Sequence, residues 1–191
     1  MSNSIKQPHF FGYGSLVNRN THRFEPTHPS RITGWRRVWH RAPVRPAAFL
    51  SVVPDPDGTI DGVIAPVPDH DWAALDAREY AYDRILVTDH VHHDAHAVRD
   101  ISIYAIPSGT AAAPDEAHPI LLSYVDAVIQ GYLHHYGETG AAQFMQTTEG
   151  WDTCVLNDRA APIYPRAQRL SVEEERFVDD MLSTIRAKVL V

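Results

Sequence analysis

One cysteine, Cys154, stands alone in a chain of 191 residues. No disulfide can form within the chain, and nothing in its fold depends on an oxidising compartment. Long apolar runs are also missing. No stretch approaches the ~20 apolar residues that span a bilayer, and residues 1–9 are polar, without the apolar segment of a secretory signal. The expectation is a cytoplasmic protein with no membrane partner. Positive charge is scarce: 17 Lys and Arg face 24 Asp and Glu, a formal charge of -7 with histidine neutral. Such a chain repels a phosphate backbone, which argues against nucleic acid as a partner. Arg36, Arg37, Arg41 and Arg45 do gather, but Trp35, Trp39 and Pro43 interleave them in a way that suits a strand edge as well as a basic patch.

Two common glycine signatures are absent as well. Gly12 and Gly14 are followed by Val17 where a dinucleotide-binding G-x-G-x-x-G places its third glycine. Tyr13 and Val17 flank Ser15 where a nucleophile elbow needs glycine on both sides. No internal repeat is visible.

What is present is the composition of a globular domain, with 44% hydrophobic and 21% charged residues. At this length one domain over residues 1–191 is expected, with a C-terminal extension and helix from about residue 151. Residues 9–13 read as a short buried strand ending in glycines, which permit positive φ or the close approach of another group. Further strands are expected over 32–41, 47–53 and 60–67, and the turn chemistry of Pro54, Asp55, Pro56, Asp57 and Gly58 predicts that the last two pair as a hairpin.

Asp69 or Asp71 can cap a short helix through Trp72, Leu75 and Asp76, which leaves Glu79 at its C-terminal end. Strands over 84–91 and 99–106 follow, their β-branched residues alternating. Leu121, Val125, Val128 or Ile129, and Tyr132 then recur at helical spacing between Pro119 and Gly137, an amphipathic pattern. A shorter helix is expected over 141–148. Ser171 and Glu174 form a capping box, and Phe177, Met181, Ile185 and Val189 share one helical stripe. Strands gathered early and helices late predict an α+β fold around a mixed or barrel-like sheet.

Two features carry candidate chemistry. The successive N–H groups of the Gly12, Tyr13, Gly14, Ser15, Leu16 turn can converge on a carboxylate or phosphate; the plainer reading is a tight turn whose glycines serve backbone geometry alone. Glu79 sits among Tyr80, Ala81 and Tyr82, and desolvation by such neighbours raises a carboxyl toward the working range of a general base. The plainer reading there is a solvated carboxylate paired with Arg78 or Arg84.

Together the two features carry a resemblance. Phe10 to Leu16 (FFGYGSL) and, about sixty-five residues on, Leu75 to Tyr82 (LDAREYAY) resemble the γ-glutamylcyclotransferase superfamily. Pro119, Tyr124 and Gly131 are similar to a helix of that superfamily, so the likeness spans roughly residues 9–135. It implies a small mixed β-barrel flanked by helices and an enzyme that cyclises a γ-glutamyl group to release 5-oxoproline from a γ-glutamyl peptide or amine. No cofactor and no metal are implied, and the oligomeric state is left open. The substrate loop carries over onto Tyr13, Gly14, Ser15 and Leu16, the catalytic glutamate onto Glu79, and supporting tyrosines onto Tyr82 and Tyr124. Gly34 to Trp39 is similar to a strand of the glutathione-acting branch, which also has leucine at the position of Leu16, where the mammalian type has asparagine.

This chemistry needs little machinery, because the attacking α-amine and the γ-carbonyl belong to one molecule. Well-oriented intramolecular reactions reach effective molarities on the order of 10⁵ M or more. One group must take a proton from the ammonium and return one to the departing nitrogen, a role for Glu79. Two rivals stand beside this reading. One is a non-catalytic small-ligand-binding domain of the same fold. The other is a metal-dependent hydrolase using the cluster of His90, His92, His93 and His96, since His90 and His92 share one face of a strand. Cys154 reads as a buried structural thiol.

Overall fold

The computed structural model describes residues 6–41, 47–107, 112, 113, 115 and 117–190. Ten strands and three α-helices follow one another along these residues: β1 (Gln7–Gly12), β2 (His28–Arg41), β3 (Ala48–Pro66), α1 (Ala73–Arg78), β4 (Asp83–Leu86), β5 (Val91–His93), β6 (Val98–Ala105), β7 (Ile120–Leu121), α2 (Leu122–Thr147), β8 (Thr148–Glu149), β9 (Cys154–Leu156), α3 (Val172–Thr184) and β10 (Lys188–Leu190). Seven strands form one sheet in the order β4-β6-β1-β3-β2-β5, with β8 added to β2. The β1–β6 and β2–β8 pairs are parallel and the others antiparallel. This mixed sheet curls into a half-barrel, the α+β architecture expected.

The core lies between the sheet and α2. Phe11, Ile32, Trp39, Leu50, Val63 and Ile103 of the sheet pack with Val125, Ile129, Tyr132 and Phe144 of the helix, and Val178 and Leu182 of α3 join the same cluster. Each such side chain contributes roughly 1.5–3 kcal/mol on burial. α2 is buried on more than one stripe: Ser123, Asp126, Ala127 and Gly131 are buried with its apolar residues, so the amphipathic expectation understates how deeply it sits. Gly131 permits this, because a Cβ there would stand 2.7 Å from the backbone nitrogen of Asn18. The two helices expected on either side of Gly137 are both present within α2, separated by a kink at that residue (φ 63°, ψ -169°).

The hairpin expected between 47–53 and 60–67 does not form. Both segments belong to β3 and both pair with β2, residues 35–41 facing 48–54 and residues 28–33 facing 59–64. Residues 55–58 are pushed out opposite Gly34, whose φ of 82° bends β2 at the bulge. The turn residues are real, but they serve a bulge, and turn chemistry does not name a strand's partner.

The strand expected over 84–91 is likewise split. Its first part, β4, does pair antiparallel with β6, whereas Val91 crosses to β2 as the start of β5. At the C-terminus the Ser171/Glu174 capping box is present, but α3 stops at Thr184 and Val189 lies in β10. Arg186, at φ 58°, turns the chain out of the helix so that β10 can pair with β9. The small parallel sheet β10-β9-β7 had no readable pattern, its strands being two or three residues long.

Candidate active site

β1 ends in a buried run, Pro8 to Gly12. The chain then passes through Tyr13 and Gly14 into a 3₁₀ turn, Ser15–Val17. Neither Gly12 nor Gly14 adopts positive φ; both are required by close approach. A Cβ on Gly12 would fall 2.7 Å from the Leu16 Cβ, and one on Gly14 would fall 2.6 Å from the Tyr124 hydroxyl.

The turn is pinned from several sides. Tyr132 places its hydroxyl 2.9 Å from the Tyr13 carbonyl and 2.7 Å from that of Asp61, while accepting a hydrogen bond from Arg37 (3.0 Å). Thr21 donates to the Ser15 carbonyl (2.7 Å). His22 Nε2 holds the Leu16 carbonyl at 2.9 Å, and its Nδ1 accepts from the Phe24 N–H. Burial pushes the His22 pKa down to about 4, so the ring is neutral in the tautomer this pairing requires.

Glu79 arrives from another direction. It is the C-cap of α1, its N–H bonded to the Leu75 carbonyl. Asp71 assists the helix start by accepting from the Ala73 N–H, while Trp72 occupies the cap position itself. The Glu79 carboxylate is 16% exposed and lies 3.0 Å from Nε of Arg78, itself 8% exposed. Pairing with Arg78 was the plainer sequence reading of Glu79. It holds, but in a shielded setting, and Arg84 pairs with Asp76 instead. Arg78 also donates to the Thr21 carbonyl (2.8 Å) and to Ser15 Oγ (3.1 Å), which fixes the end of α1 to the glycine turn.

The remaining expected residues meet here. Tyr82 donates to the Leu50 carbonyl (2.9 Å). Tyr13 donates to the Tyr104 carbonyl (2.6 Å). Tyr124 rises from the first turn of α2, with the backbone of Ser15 as a hydrogen-bond partner. Burial, then the neighbouring Tyr164 and the charge of Glu79, push the Tyr124 pKa far up, and burial does the same to Tyr13. Both are proton donors across the neutral range. Tyr13, Gly14, Ser15, Leu16, Glu79, Tyr82 and Tyr124 all line one cavity of about 30 Å³. It shares Ser15, Leu50, Glu79, Tyr82 and Tyr124 as walls with a second cavity of about 300 Å³.

Sequence reasoning missed Tyr104 and Leu50 in the inner cavity and Phe49, Tyr164 and Arg166 in the outer one. These are brought in by strand pairing and by a loop path that carry no local signal. Asn157, Asp158 and Arg159, which precede this loop, are absent from the walls of both cavities. Asp158 accepts from the Ser123 N–H and hydroxyl and from the Ile163 N–H, and Arg159 pairs with Asp126 and Asp179. The arginine cluster of β2 is not a binding face among the described residues; Arg45 lies outside them. Arg37 is buried, held by Thr147, Thr148, Tyr132 and the Asp61 carbonyl, with burial lowering its pKa. Arg36 pairs with Asp55 and Glu149, and Arg41 with Asp115.

Among the described residues no group of three His, Cys, Asp or Glu side chains is placed to hold a metal ion. His90 lies in a 3₁₀ turn and His92 in β5, so the one strand face expected for them is broken. Cys154 is buried. No helix among the described residues is long and apolar enough to cross a membrane.

The sequence profile of the family described as "Gamma-glutamyl cyclotransferase, AIG2-like" matches residues 10–126. A search of curated protein sequences returns no match. Among solved structures, YkqA from Bacillus subtilis is similar with a TM-score of 0.60 at 16% identity, over 76% of this chain and 55% of that one. This chain therefore spans little more than half of that protein's length. A human protein, uncharacterized protein loc79017, gives a TM-score of 0.58 at 15% identity over 91% and 99% of the two chains. A structure described as "Gamma-glutamyl cyclotransferase" gives 0.53 at 15% identity over 90% and 98%. At such identities the likeness is one of fold.

Proposed function

Since the chain belongs to the AIG2-like γ-glutamyl cyclotransferase family, we propose that it cyclises a γ-glutamyl group and releases 5-oxoproline, with Glu79 as the acid–base group. One observation carries the assignment: the Glu79 carboxylate lines the same small, shielded cavity as the Gly12–Leu16 backbone and the Tyr124 side chain.

In this reading the substrate's α-ammonium group gives a proton to Glu79. The freed amine attacks the γ-carbonyl carbon, closing a five-membered ring as the carbonyl oxygen takes up negative charge. In this reading the Tyr124 hydroxyl, which lines the cavity with the Gly12–Leu16 backbone, stabilises that oxygen or the α-carboxylate. The ring nitrogen sheds its second proton to water, the carbonyl re-forms, the amide C–N bond breaks, and Glu79 returns its proton to the departing nitrogen, which leaves as a neutral amine. The products are 5-oxoproline and a free amine. Arg78 orients the Glu79 carboxylate through its short contact, and its hold on Ser15 and Thr21 keeps base and cradle in register.

The single buried thiol suits the reducing cytoplasm in which this reaction is placed. Glu79→Gln preserves shape and removes the base. The expected result is a folded protein that releases no 5-oxoproline from γ-glutamyl substrates; undiminished release would remove Glu79 from the mechanism. A folded wild type that binds γ-glutamyl compounds without turnover would favour the non-catalytic reading.

A further inference from the structure

We propose that residues 163–166 form the subsite for the departing group and that Arg166 takes a carboxylate carried by that group. The preferred substrates are then γ-glutamyl amino acids or peptides, not γ-glutamyl amines. This rests on the cyclotransferase reading above.

The inner cavity, at about 30 Å³, has room for only a few waters at the ~10–15 Å³ each needs, so most of a substrate that reaches Glu79 must lie in the outer cavity of about 300 Å³, whose wall Glu79 shares. That outer space is lined by Phe49 and Leu121 and, as a second stretch of wall, by Ile163, Tyr164, Pro165 and Arg166. The second wall lies beyond the 10–126 segment that matches the family, so this chain supplies it from its own C-terminal part. The wall is anchored: the Asp158 carboxylate accepts from the Ile163 N–H at 2.8 Å and from the Ser123 N–H at 2.8 Å. The segment is thereby tied to the turn of α2 that carries Tyr124.

Charge and hydrogen bonding decide what fits. Among the described residues the charged side chains lining the outer cavity are Arg78, Glu79 and Arg166. Arg78 is committed to Glu79, Ser15 and Thr21. Among the described residues the Arg166 side chain makes no hydrogen bond or ion pair; only its backbone carbonyl is engaged, by Gln168. Beside it the Tyr164 hydroxyl is shielded from solvent and has no hydrogen-bond partner, with its ring edge-on to Tyr124 at 5.0 Å. An unmatched shielded hydroxyl is costly, and a polar group on the ligand would relieve it. A cationic amine would meet Arg166 with Glu79 as the one acidic side chain of the wall among the described residues. A carboxylate would gain a guanidinium, which matches it in geometry as well as charge.

The test compares γ-glutamylvaline with γ-glutamylisobutylamide, which differ only by that carboxylate. For the wild type, kcat/KM for 5-oxoproline release is expected to favour the acid by about fivefold or more, mainly through KM, because Arg166 is exposed and partly screened. In Arg166→Gln the ratio should fall to near one, and Arg166→Lys should keep part of it. A wild-type ratio near one, or a ratio that survives in Arg166→Gln, overturns the proposal. If neither compound yields 5-oxoproline, the cyclotransferase reading fails separately. Calorimetric titration of the same pair into Glu79→Gln, with and without Arg166→Gln, then decides the subsite. Tighter binding of the acid that depends on Arg166 supports it, and equal or no binding overturns it.

Discussion

The two halves of the cavity are built in different ways. The inner half draws its walls from residues 11–124, inside the family-matched segment, and each functional side chain is locked by a partner: Tyr13 by the Tyr104 carbonyl, Tyr82 by the Leu50 carbonyl, Ser15 and Glu79 by Arg78. The outer half is wider, is closed by residues 163–166 from outside that segment, and carries an arginine with no side-chain partner among the described residues. Rigid, pre-paired groups suit the making and breaking of bonds. A wider pocket that carries, among the described residues, one uncommitted guanidinium suits selection of what departs.

The sharpest way to break this contrast is at Glu79. Glu79→Gln should lower kcat by about 10³-fold or more, in the range general acid–base groups supply, with a nearly unchanged Tm; a loss confined to KM would move Glu79 to a binding role. Gly14→Ala tests the inner geometry next. Its Cβ would stand 2.6 Å from the Tyr124 hydroxyl and 3.3 Å from Leu50 Cδ2, so the tyrosine must move. A loss of about 10²-fold in kcat is expected from a displacement of that order, and steady-state kinetics with a circular-dichroism melt would separate it from unfolding. Tyr124→Phe, which keeps the ring and removes the proton, should cost about tenfold in kcat. In the outer half, Arg166→Gln should touch the choice of substrate more than the turnover of bound substrate.

Much of the inner half was legible in sequence because it is local. The glycine turn, the helix ending at Glu79 and the helix carrying Tyr124 each announce themselves by short-range patterns, and the fold need only bring three points together. The resemblance supplied the chemistry that those patterns alone left anonymous. The outer half was not legible. Residues 163–166 follow a short parallel strand, and their position is set by Asp158 bridging Ser123 and Ile163, a contact between residues far apart in sequence. The 54–58 turn shows the same limit: its residues mark a change of direction, while Gly34, twenty residues earlier in the chain, decides that the change is a bulge in one strand. Arg37 reads as a surface charge by type, yet Tyr132, Thr147 and Thr148 satisfy it inside the core.

The smallest effect expected is a pH dependence of stability. His22, beneath the Leu16 carbonyl, has its pKa lowered to about 4 by burial, against about 6.5 when unfolded. The folded state thus resists a proton that the unfolded state accepts, so the neutral ring's contribution is complete above about pH 6.5 and is lost as pH falls toward 4. A loss on the order of 2 kcal/mol across that window is expected in urea titrations. His22→Asn should flatten that part of the profile, and an unaltered slope would place its origin elsewhere.

The central claim is that the inner cavity makes 5-oxoproline through Glu79. Incubating the wild type and Glu79→Gln with a γ-glutamyl amino acid, and quantifying 5-oxoproline and the freed amino acid together by mass spectrometry, tests it most directly. The account predicts equal amounts of the two products from the wild type and neither from the variant. Free glutamate in place of 5-oxoproline, or the same yield from both proteins, would contradict it.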